Sequence, residues 1–144
     1  DTQTPQDIRC SESFSSLIQA IENLREICWK EAGVSRSRQR MLIALKAINS
    51  DMNNINQQPI LQYVTNQNKE YCKTFNETER RSLNLLLDLN HRQLASSLLI
   101  QACLFRNESR GGHFRSDYPS SLPYWERHSI QIKMNEMSTK SVHK

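Results

Sequence analysis

Apolar residues recur at helical spacing along much of the chain. Between residues 14 and 28 they stand three and four positions apart, the period of a helix with one buried face. Gly33 is expected to end this first helix. Ser35 is expected to cap a second helix, whose apolar line is Met41, Leu45, Ile48 and Met52.

The longest apolar pattern begins after Asn76, which has the capping-box spacing to Glu79. Leucines recur from there to Phe105, which predicts a helix of about 25 residues. Its apolar stripe is wide enough for burial on two sides. Gly111 and Gly112 are expected to supply the left-handed conformation that ends this helix.

The other stretches lack a clear helical period. Residues 49–75 are polar and rich in Asn and Gln. We expect a linker at residues 49–59, NSDMNNINQQP, followed by a short helical or extended piece at residues 60–64. Residues 129–133 alternate as a strand would, and the polar residues 135–144 are expected to fray. The sequence therefore predicts an all-α fold: an antiparallel three-helix bundle, spectrin-repeat-like, with an irregular C-terminal extension. Its predicted parts are an N-terminal segment 1–10, a bundle domain 11–132 and a polar tail 133–144.

Composition limits the class of protein. The 144 residues are 37% hydrophobic and 24% charged, with a net charge of +4, as expected of a single soluble domain. Neither a membrane-spanning run nor a signal-peptide layout is present, and Thr4-Pro5 is expected to begin a short helical turn. We therefore expect a cytoplasmic protein. A start at Asp1 rather than Met suits a processed product or an excised domain.

The usual signals of an active site are missing. Four widely spaced cysteines without a CxxC pair predict reduced, buried thiols rather than a metal site. No glycine-rich phosphate-binding turn is present. Ser109, His113 and Asp117 stand four apart, but the glycine pair between them argues against a catalytic triad. We assign no catalytic, cofactor-binding or metal-binding residue.

Basic residues are concentrated in two places. Residues 106–128, RNESRGGHFRSDYPSSLPYWERH, follow the longest helix and combine arginine, histidine and aromatic side chains. Arg36, Arg38 and Arg40 stand at the start of the second helix, where the helix dipole disfavours positive charge. They are either exposed at a small energetic cost or paired with acidic residues from another segment.

The string ESRGGHFRSDYP at residues 108–119, followed by Trp125 and His128, resembles the end of the helical domain in the fumarate reductase and succinate dehydrogenase flavoprotein family. Residues 24–45, LREICWKEAGVSRSRQRMLIAL, are similar to the first helix pair of that domain. The resemblance covers about residues 11–132. The dehydrogenase branch usually has an Arg-Asp-Asp run where this chain has residues 120–124, SSLPY, which favours the L-aspartate oxidase branch.

The resemblance implies that the chain is the C-terminal helical domain of a larger flavoenzyme. The parent would bind FAD and oxidise L-aspartate to iminoaspartate, which feeds quinolinate and NAD synthesis. Its partners would be the flavin-binding and capping domains of the same parent chain, with quinolinate synthase as a further candidate. The family's FAD and substrate residues lie in the preceding domains, so this fragment alone is expected to be inactive and to bind no FAD.

The basic residues then have two interpretations. In the first, they dock the helical domain on the flavin domain by charge-assisted hydrogen bonds. In the second, Arg110 and Asp117 only hold the turn to the bundle. A stand-alone helical binding module, such as a cytokine-like bundle or a nucleic-acid adaptor, is the rival class, although it does not explain SRGGHFRSDYP. The candidate docking residues are Arg36, Arg38, Arg106, Arg110, His113, Arg115, Asp117 and Trp125.

Overall fold

The computed structural model describes residues 10, 12–65, 74–132 and 136–142. The predicted turn at Thr4-Pro5 and the thiol of Cys72 lie outside these residues. No helix in the described part is both long and apolar enough to cross a membrane. The elements are, in chain order, α1 (Phe14–Ala32), β1 (Ser35–Arg36), α2 (Arg38–Asn56), α3 (Pro59–Thr65), α4 (Glu77–Phe105), β2 (Phe114–Arg115), β3 (Arg127–Ile130) and β4 (Ser138–Ser141), with a 3₁₀ turn at Pro123–Trp125.

The chain divides into two compact units. Unit 1 comprises residues 1–25 and 48–95, and unit 2 comprises residues 26–47 and 96–144. In unit 1 the apolar faces of four helices are buried, as their spacing requires. The buried side chains of this core are Leu17, Ile21, Leu24, Ile48, Ile55, Ile60, Leu61, Leu86 and Leu89.

Two helix starts in unit 1 follow from local capping. Ser13 Oγ accepts the backbone N–H of Ser16 at 3.1 Å, so α1 begins where its sequence predicts. Asn76 and Glu79 form the predicted capping box. Asn76 Oδ1 accepts the N–H of Glu79 at 2.8 Å, and Glu79 Oε2 accepts the N–H of Asn76 at 2.9 Å. The helix that follows extends to Phe105, as predicted.

The prediction of a linker from residue 49 is wrong. Helix α2 continues through the Asn-rich stretch to Asn56, and α3 begins at Pro59. Ile48 and Ile55 are buried seven positions apart, which keeps the apolar face of α2 on the core despite the modest helix propensity of asparagine. Pro59 occupies the first helical position, where a missing N–H costs nothing. The short piece at residues 60–64 is therefore helical.

In unit 2 the helix ends differ from the sequence prediction. Ser37 caps α2 instead of Ser35, because its Oγ accepts the N–H of Arg40 at 3.5 Å while Ser35 lies in β1. Helix α4 ends at Phe105, so the glycine pair does not terminate it. Gly111, with a φ of +57°, instead shapes a turn that is closed by backbone hydrogen bonds between residues 110 and 113.

Two small sheets complete unit 2. Strands β1 and β2 are parallel, with Ser35 opposite Phe114, and β3 and β4 are antiparallel, with Arg127 opposite Ser141. The prediction of a frayed tail is therefore wrong for residues 138–141. Their pairing with β3 is made by backbone groups, which the pattern of side chains does not indicate. The described fold is mostly helical, with four helices instead of the three that were predicted. The antiparallel three-helix arrangement is not confirmed.

Candidate functional site

The centre of unit 2 is the fully buried side chain of Arg115. Its Nη1 donates to the carbonyl oxygens of Cys103 at 3.0 Å, Leu104 at 3.3 Å and Arg106 at 3.3 Å. These are carbonyls at the C-terminus of α4, which have no partner within the helix. The guanidinium also places positive charge at the negative end of the helix dipole. Arg115 therefore caps α4 with its side chain.

Asp117 holds this capping arginine in place and reaches a second helix. Its two carboxylate oxygens accept Nε and Nη2 of Arg115, both at 2.7 Å, in a bidentate pair. Oδ2 also accepts the backbone N–H of Arg38 at 3.0 Å, at the N-terminus of α2. The hydrogen bonds from Arg115 hold the pKa of Asp117 well below its usual value, although partial burial opposes this. One ion pair thus satisfies both the C-terminus of α4 and the N-terminus of α2.

Glu108 forms a second, fully buried carboxylate centre. It accepts Nε of Arg106 at 2.8 Å, Nε of Arg110 at 3.0 Å and the N–H of Leu122 at 2.8 Å. Burial by itself would raise the pKa of Glu108, but the hydrogen bonds from Arg110, the Leu122 N–H and Arg106 outweigh it and hold the pKa at about 2. The carboxylate therefore stays ionised and ties the 106–110 segment to the 122 loop.

Arg106 and Trp125 extend this network to β3. The guanidinium of Arg106 donates to the carbonyl oxygens of Trp125 and Arg127, the latter at 3.1 Å. It also lies over the Trp125 ring, 5.6 Å from the centroid. The Trp125 ring is buried edge-on against Phe105, with centroids 5.4 Å apart. The aromatic anchor of the C-terminal segment is therefore packed inside unit 2.

Arg36 and His113 join the end of α1 to the glycine turn. Arg36 Nε donates to the carbonyl of Ala32, the last residue of α1, at 3.0 Å. Its Nη1 lies 3.3 Å from His113 Nδ1, whose ring nitrogen Nε2 lies 3.2 Å from the carbonyl oxygen of Arg106. This pattern requires the neutral tautomer with the proton on Nε2. Burial, and then the neighbouring arginines, lower the pKa of His113, in agreement with that tautomer.

The structure shows acidic or carbonyl partners for the side chains of Arg36, Arg40, Arg106, Arg110 and Arg115. Arg40 pairs with Glu31 at 3.2 Å, and Arg38 meets Asp117 through its backbone. The side chains of Arg38 and Arg110 retain exposed surface, whereas Arg115 is fully buried. Arg110 contacts Glu108, and Asp117 contacts Arg115, so these side chains do hold the segment to its surroundings. Whether the segment also docks on another domain stays a prediction.

Glu108 is the network residue to which sequence analysis assigned no role. Its signal was present, because Arg106 and Arg110 stand two positions on either side of it. An acidic residue that lies beyond the end of a helix, with an arginine two positions to each side, is a candidate for ion pairs with both arginines. Nothing in the sequence indicated the contact with the Leu122 N–H, because a backbone N–H is not specific to any residue type.

No catalytic constellation is formed by these residues. Ser109 Oγ donates to the carbonyl of Tyr118 at 2.7 Å, and the His113 ring contacts Arg106 and Arg36 instead of Ser109. Within the described ranges, no three His, Cys, Asp or Glu side chains cluster as metal ligands would. The described cysteines are free thiols: Cys103 is buried, and Cys10 and Cys28 are half-buried.

The described residues also do not fit FAD. The diphosphate of a dinucleotide is held at a glycine-rich turn between a parallel strand and a helix. The only such connection that the structure describes runs from β1 to α2 through Ser37, and the N-terminus of α2 is already occupied by Asp117. We therefore assign no residue of this chain to the flavin.

Fold and site together define a mostly helical domain in which the C-terminal segment closes the ends of the helices through buried ion pairs. The family model that describes the C-terminal region of fumarate reductase flavoproteins matches residues 21–143. The chain belongs to this family. The resemblance identified from ESRGGHFRSDYP is thereby confirmed.

Several curated proteins are similar to the chain. An L-aspartate oxidase of Nostoc sp. is 31% identical over 114 residues, which are 78% of this chain and 20% of that protein. One component of the CoM/CoB fumarate reductase of Methanothermobacter marburgensis is 29% identical over 108 residues, 74% of this chain and 17% of that protein. An L-aspartate oxidase of Ralstonia nicotianae is 30% identical over 102 residues, covering 71% and 16%. The chain spans a fifth or less of the length of these relatives. No solved structure matches it with significance.

Proposed function

We propose that this chain is the C-terminal helical domain of an L-aspartate oxidase, with the domain at residues 11–132. The whole polypeptide would bind FAD, oxidise L-aspartate to iminoaspartate and supply NAD biosynthesis. The observation that carries the proposal is the 31% identity to the Nostoc oxidase over 78% of the chain. The loop at residues 120–124 also lacks the Arg-Asp-Asp run of the dehydrogenase branch. A cytoplasmic location and a partnership with quinolinate synthase stay predictions of the same proposal.

The second candidate is the corresponding domain of a fumarate reductase flavoprotein, which the similarity to the Methanothermobacter protein favours. One experiment separates the two. The native polypeptide that carries this chain would be purified and mixed anaerobically with L-aspartate or with succinate. Bleaching of the flavin absorbance by L-aspartate, with peroxide formed when oxygen is readmitted, is expected. Bleaching by succinate alone would favour the second candidate, and a polypeptide without flavin would contradict both.

We further propose that unit 2 docks on the flavin-binding domain of the same polypeptide. Of the candidate docking residues, Arg38 and Arg110 have exposed side chains that could meet carboxylates of that domain. Arg36 and His113 lie half-buried beside them. Arg106, Arg115, Asp117 and Trp125 would act indirectly, because their hydrogen bonds and ring contacts hold the segment in shape.

The docking proposal is tested by titrating the chain against the flavin-binding domain produced separately. Replacing Arg38 and Arg110 together with alanine should weaken binding by about tenfold or more, because charge-assisted hydrogen bonds each contribute about 1.5–3 kcal/mol. Arg92→Ala, which removes an exposed arginine of unit 1, is the matched control and should leave binding unchanged. Equal binding of both variants, in chains shown to be folded, would contradict docking through these arginines.

A further inference from the structure

The 3₁₀ turn of unit 2 presents an aromatic ring to solvent. Tyr124 is 62% exposed, and Leu122, two positions before it, is 43% exposed. The next residue, Trp125, is buried, and its ring lies edge-on to that of Tyr124 with the centroids 5.5 Å apart. The exposed ring therefore packs on the core of unit 2. Exposed apolar side chains that share one short turn are typical of an interaction surface.

The backbone of this turn is held in place by hydrogen bonds within unit 2. The N–H of Leu122 donates to the buried carboxylate of Glu108 at 2.8 Å. The carbonyl oxygen of Leu122 accepts Nη2 of Arg110 at 3.1 Å and the N–H of Trp125 at 3.0 Å. Tyr124 thus lies on an ordered turn, which lowers the conformational entropy lost when a partner binds. Rigid aromatic side chains of this kind are typical anchors of protein interfaces.

Positive charge surrounds the exposed ring. The guanidinium of Arg127 lies over the Tyr124 ring, 5.0 Å from its centroid. The side chain of Arg110 is 40% exposed, and the carboxylate of Glu126, 3.8 Å away, offsets only part of this charge. In unit 2 as a whole, basic residues outnumber acidic ones by two to one, whereas acidic residues are in the majority in unit 1. The charge of unit 2 therefore favours a partner with carboxylates and disfavours a second copy of the same surface.

We propose that the surface formed by Arg110, Leu122, Tyr124 and Arg127, the Tyr124 surface, is the central contact between unit 2 and the flavin-binding domain. This inference rests on the proposed function and adds an apolar anchor to it, with the two arginines at the rim. The Tyr124 ring would enter an apolar pocket of that domain, with carboxylates facing the guanidinium groups. Under the proposed function most of the polypeptide lies outside this chain, which covers 20% of the Nostoc oxidase, so the flavin-binding domain is available as the partner.

Hydroxyl-radical labelling followed by mass spectrometry tests this contact on unaltered protein. Tyr124 is expected to react readily in the 144-residue chain. It should react at least about fivefold more slowly in the native flavin-containing polypeptide, because the anchor of an interface is withdrawn from water. Phe14, which is 50% exposed and belongs to unit 1, is the internal reference and should react equally in both proteins.

The possible results separate this inference from the proposed function. Equal labelling of Tyr124 in the two proteins, with flavin bound to the native polypeptide, would overturn the inference and leave the proposed function intact. A native polypeptide without flavin would overturn both. Protection of Tyr124 that appears in the 144-residue chain as its concentration is raised would assign the Tyr124 surface to a second copy and overturn the inference.

Two variants of Tyr124 distinguish docking from a role in folding. Tyr124→Ala should lower the melting temperature of the native polypeptide by at least about 2 °C more than that of the 144-residue chain, since only the former loses the interface. Tyr124→Phe keeps the ring and should melt like the unaltered polypeptide. Phe14→Ala removes an exposed ring of unit 1 and should shift both proteins by similar amounts. Equal shifts of the two proteins by Tyr124→Ala would contradict docking through this ring.

Discussion

The two ends of α4 are closed in opposite ways. At the N-terminus, Asn76 and Glu79 exchange two exposed hydrogen bonds within four residues of sequence. At the C-terminus, the carbonyls are satisfied by the buried guanidinium of Arg115, which lies ten residues beyond Phe105. The first closure needs only local chain geometry, whereas the second exists only when the 106–117 segment has folded back. The C-terminal end of α4 therefore depends on the rest of unit 2.

The two closures of α4 also differ in how much stability is lost when they are disrupted. An exposed N-cap contributes about 1 kcal/mol to helix stability. A buried ion pair contributes little net stability. Removing one partner, however, leaves the other charge without its counter-ion and costs several kcal/mol. The C-terminal closure is thus far more sensitive to mutation than the N-terminal one.

Arg115→Ala should have the largest effect. It leaves α4 carbonyls without their donor and Asp117 without its counter-ion, and should lower the free energy of unfolding by about 3–5 kcal/mol. Urea unfolding followed by circular dichroism measures this change. Arg92→Ala, which breaks an exposed i,i+4 pair, should cost less than about 0.5 kcal/mol. A loss below about 1 kcal/mol for Arg115→Ala would mean that other groups cap the helix.

Glu108→Gln should have the next largest effect, about 2 kcal/mol at neutral pH, because it weakens charge-assisted hydrogen bonds from two arginines. The pKa of Glu108 is about 2, below its ordinary 4.5, so the unfolded chain binds this proton more readily than the folded chain. The stability that this carboxylate contributes is therefore complete above pH 4.5 and is lost as the pH falls toward 2.

The dependence of the folded chain's stability on pH tests this prediction for Glu108. Thermal unfolding of Glu108→Gln should change less between neutral and acidic pH than that of the unaltered chain. Glu77→Gln, an exposed glutamate in the first turn of α4, should keep the full acid dependence. An acid dependence of Glu108→Gln equal to that of the control would show that Glu108 does not contribute this loss.

The features that the sequence predicts are likewise those that depend on local contacts, and the features that it misses depend on long-range contacts. The start of α4 was predicted, because Asn76 and Glu79 lie within one helical turn. The continuation of α2 through Ile55 was missed, since tertiary burial overrides the loop-like composition of the Asn-rich stretch. In the site, SRGGHFRSDYP identified the right segment but not its pairs. The ion pairs join residues two positions apart, whereas the contacts to the α4 carbonyls and to the N–H groups of Leu122 and Arg38 involve distant backbone groups, which no residue type identifies.

Gly33→Ala tests the end of α1, where the backbone of Gly33 lies close to that of Trp29. A Cβ at Gly33 would lie 2.4 Å from the carbonyl oxygen of Trp29, so the end of α1 must distort. We expect a loss of about 1–2 kcal/mol in the free energy of unfolding, measured in urea. Gly112→Ala is the matched control, because a Cβ there meets nothing within 4 Å, and it should be nearly neutral. Equal losses for the two variants would argue against the close approach at Gly33.

Asn76→Ala should have the smallest effect, about 1 kcal/mol, because it removes one exposed cap whose backbone donor can turn to water. Combining it with Arg115→Ala sharpens the comparison. The two caps share no hydrogen-bond partner, so the losses should add to within about 0.5 kcal/mol in urea unfolding. A double variant that loses clearly less than the sum would show that Arg115→Ala already releases the N-terminal cap, and that the two ends of α4 are coupled. Additivity would establish that the local closure and the long-range closure act independently.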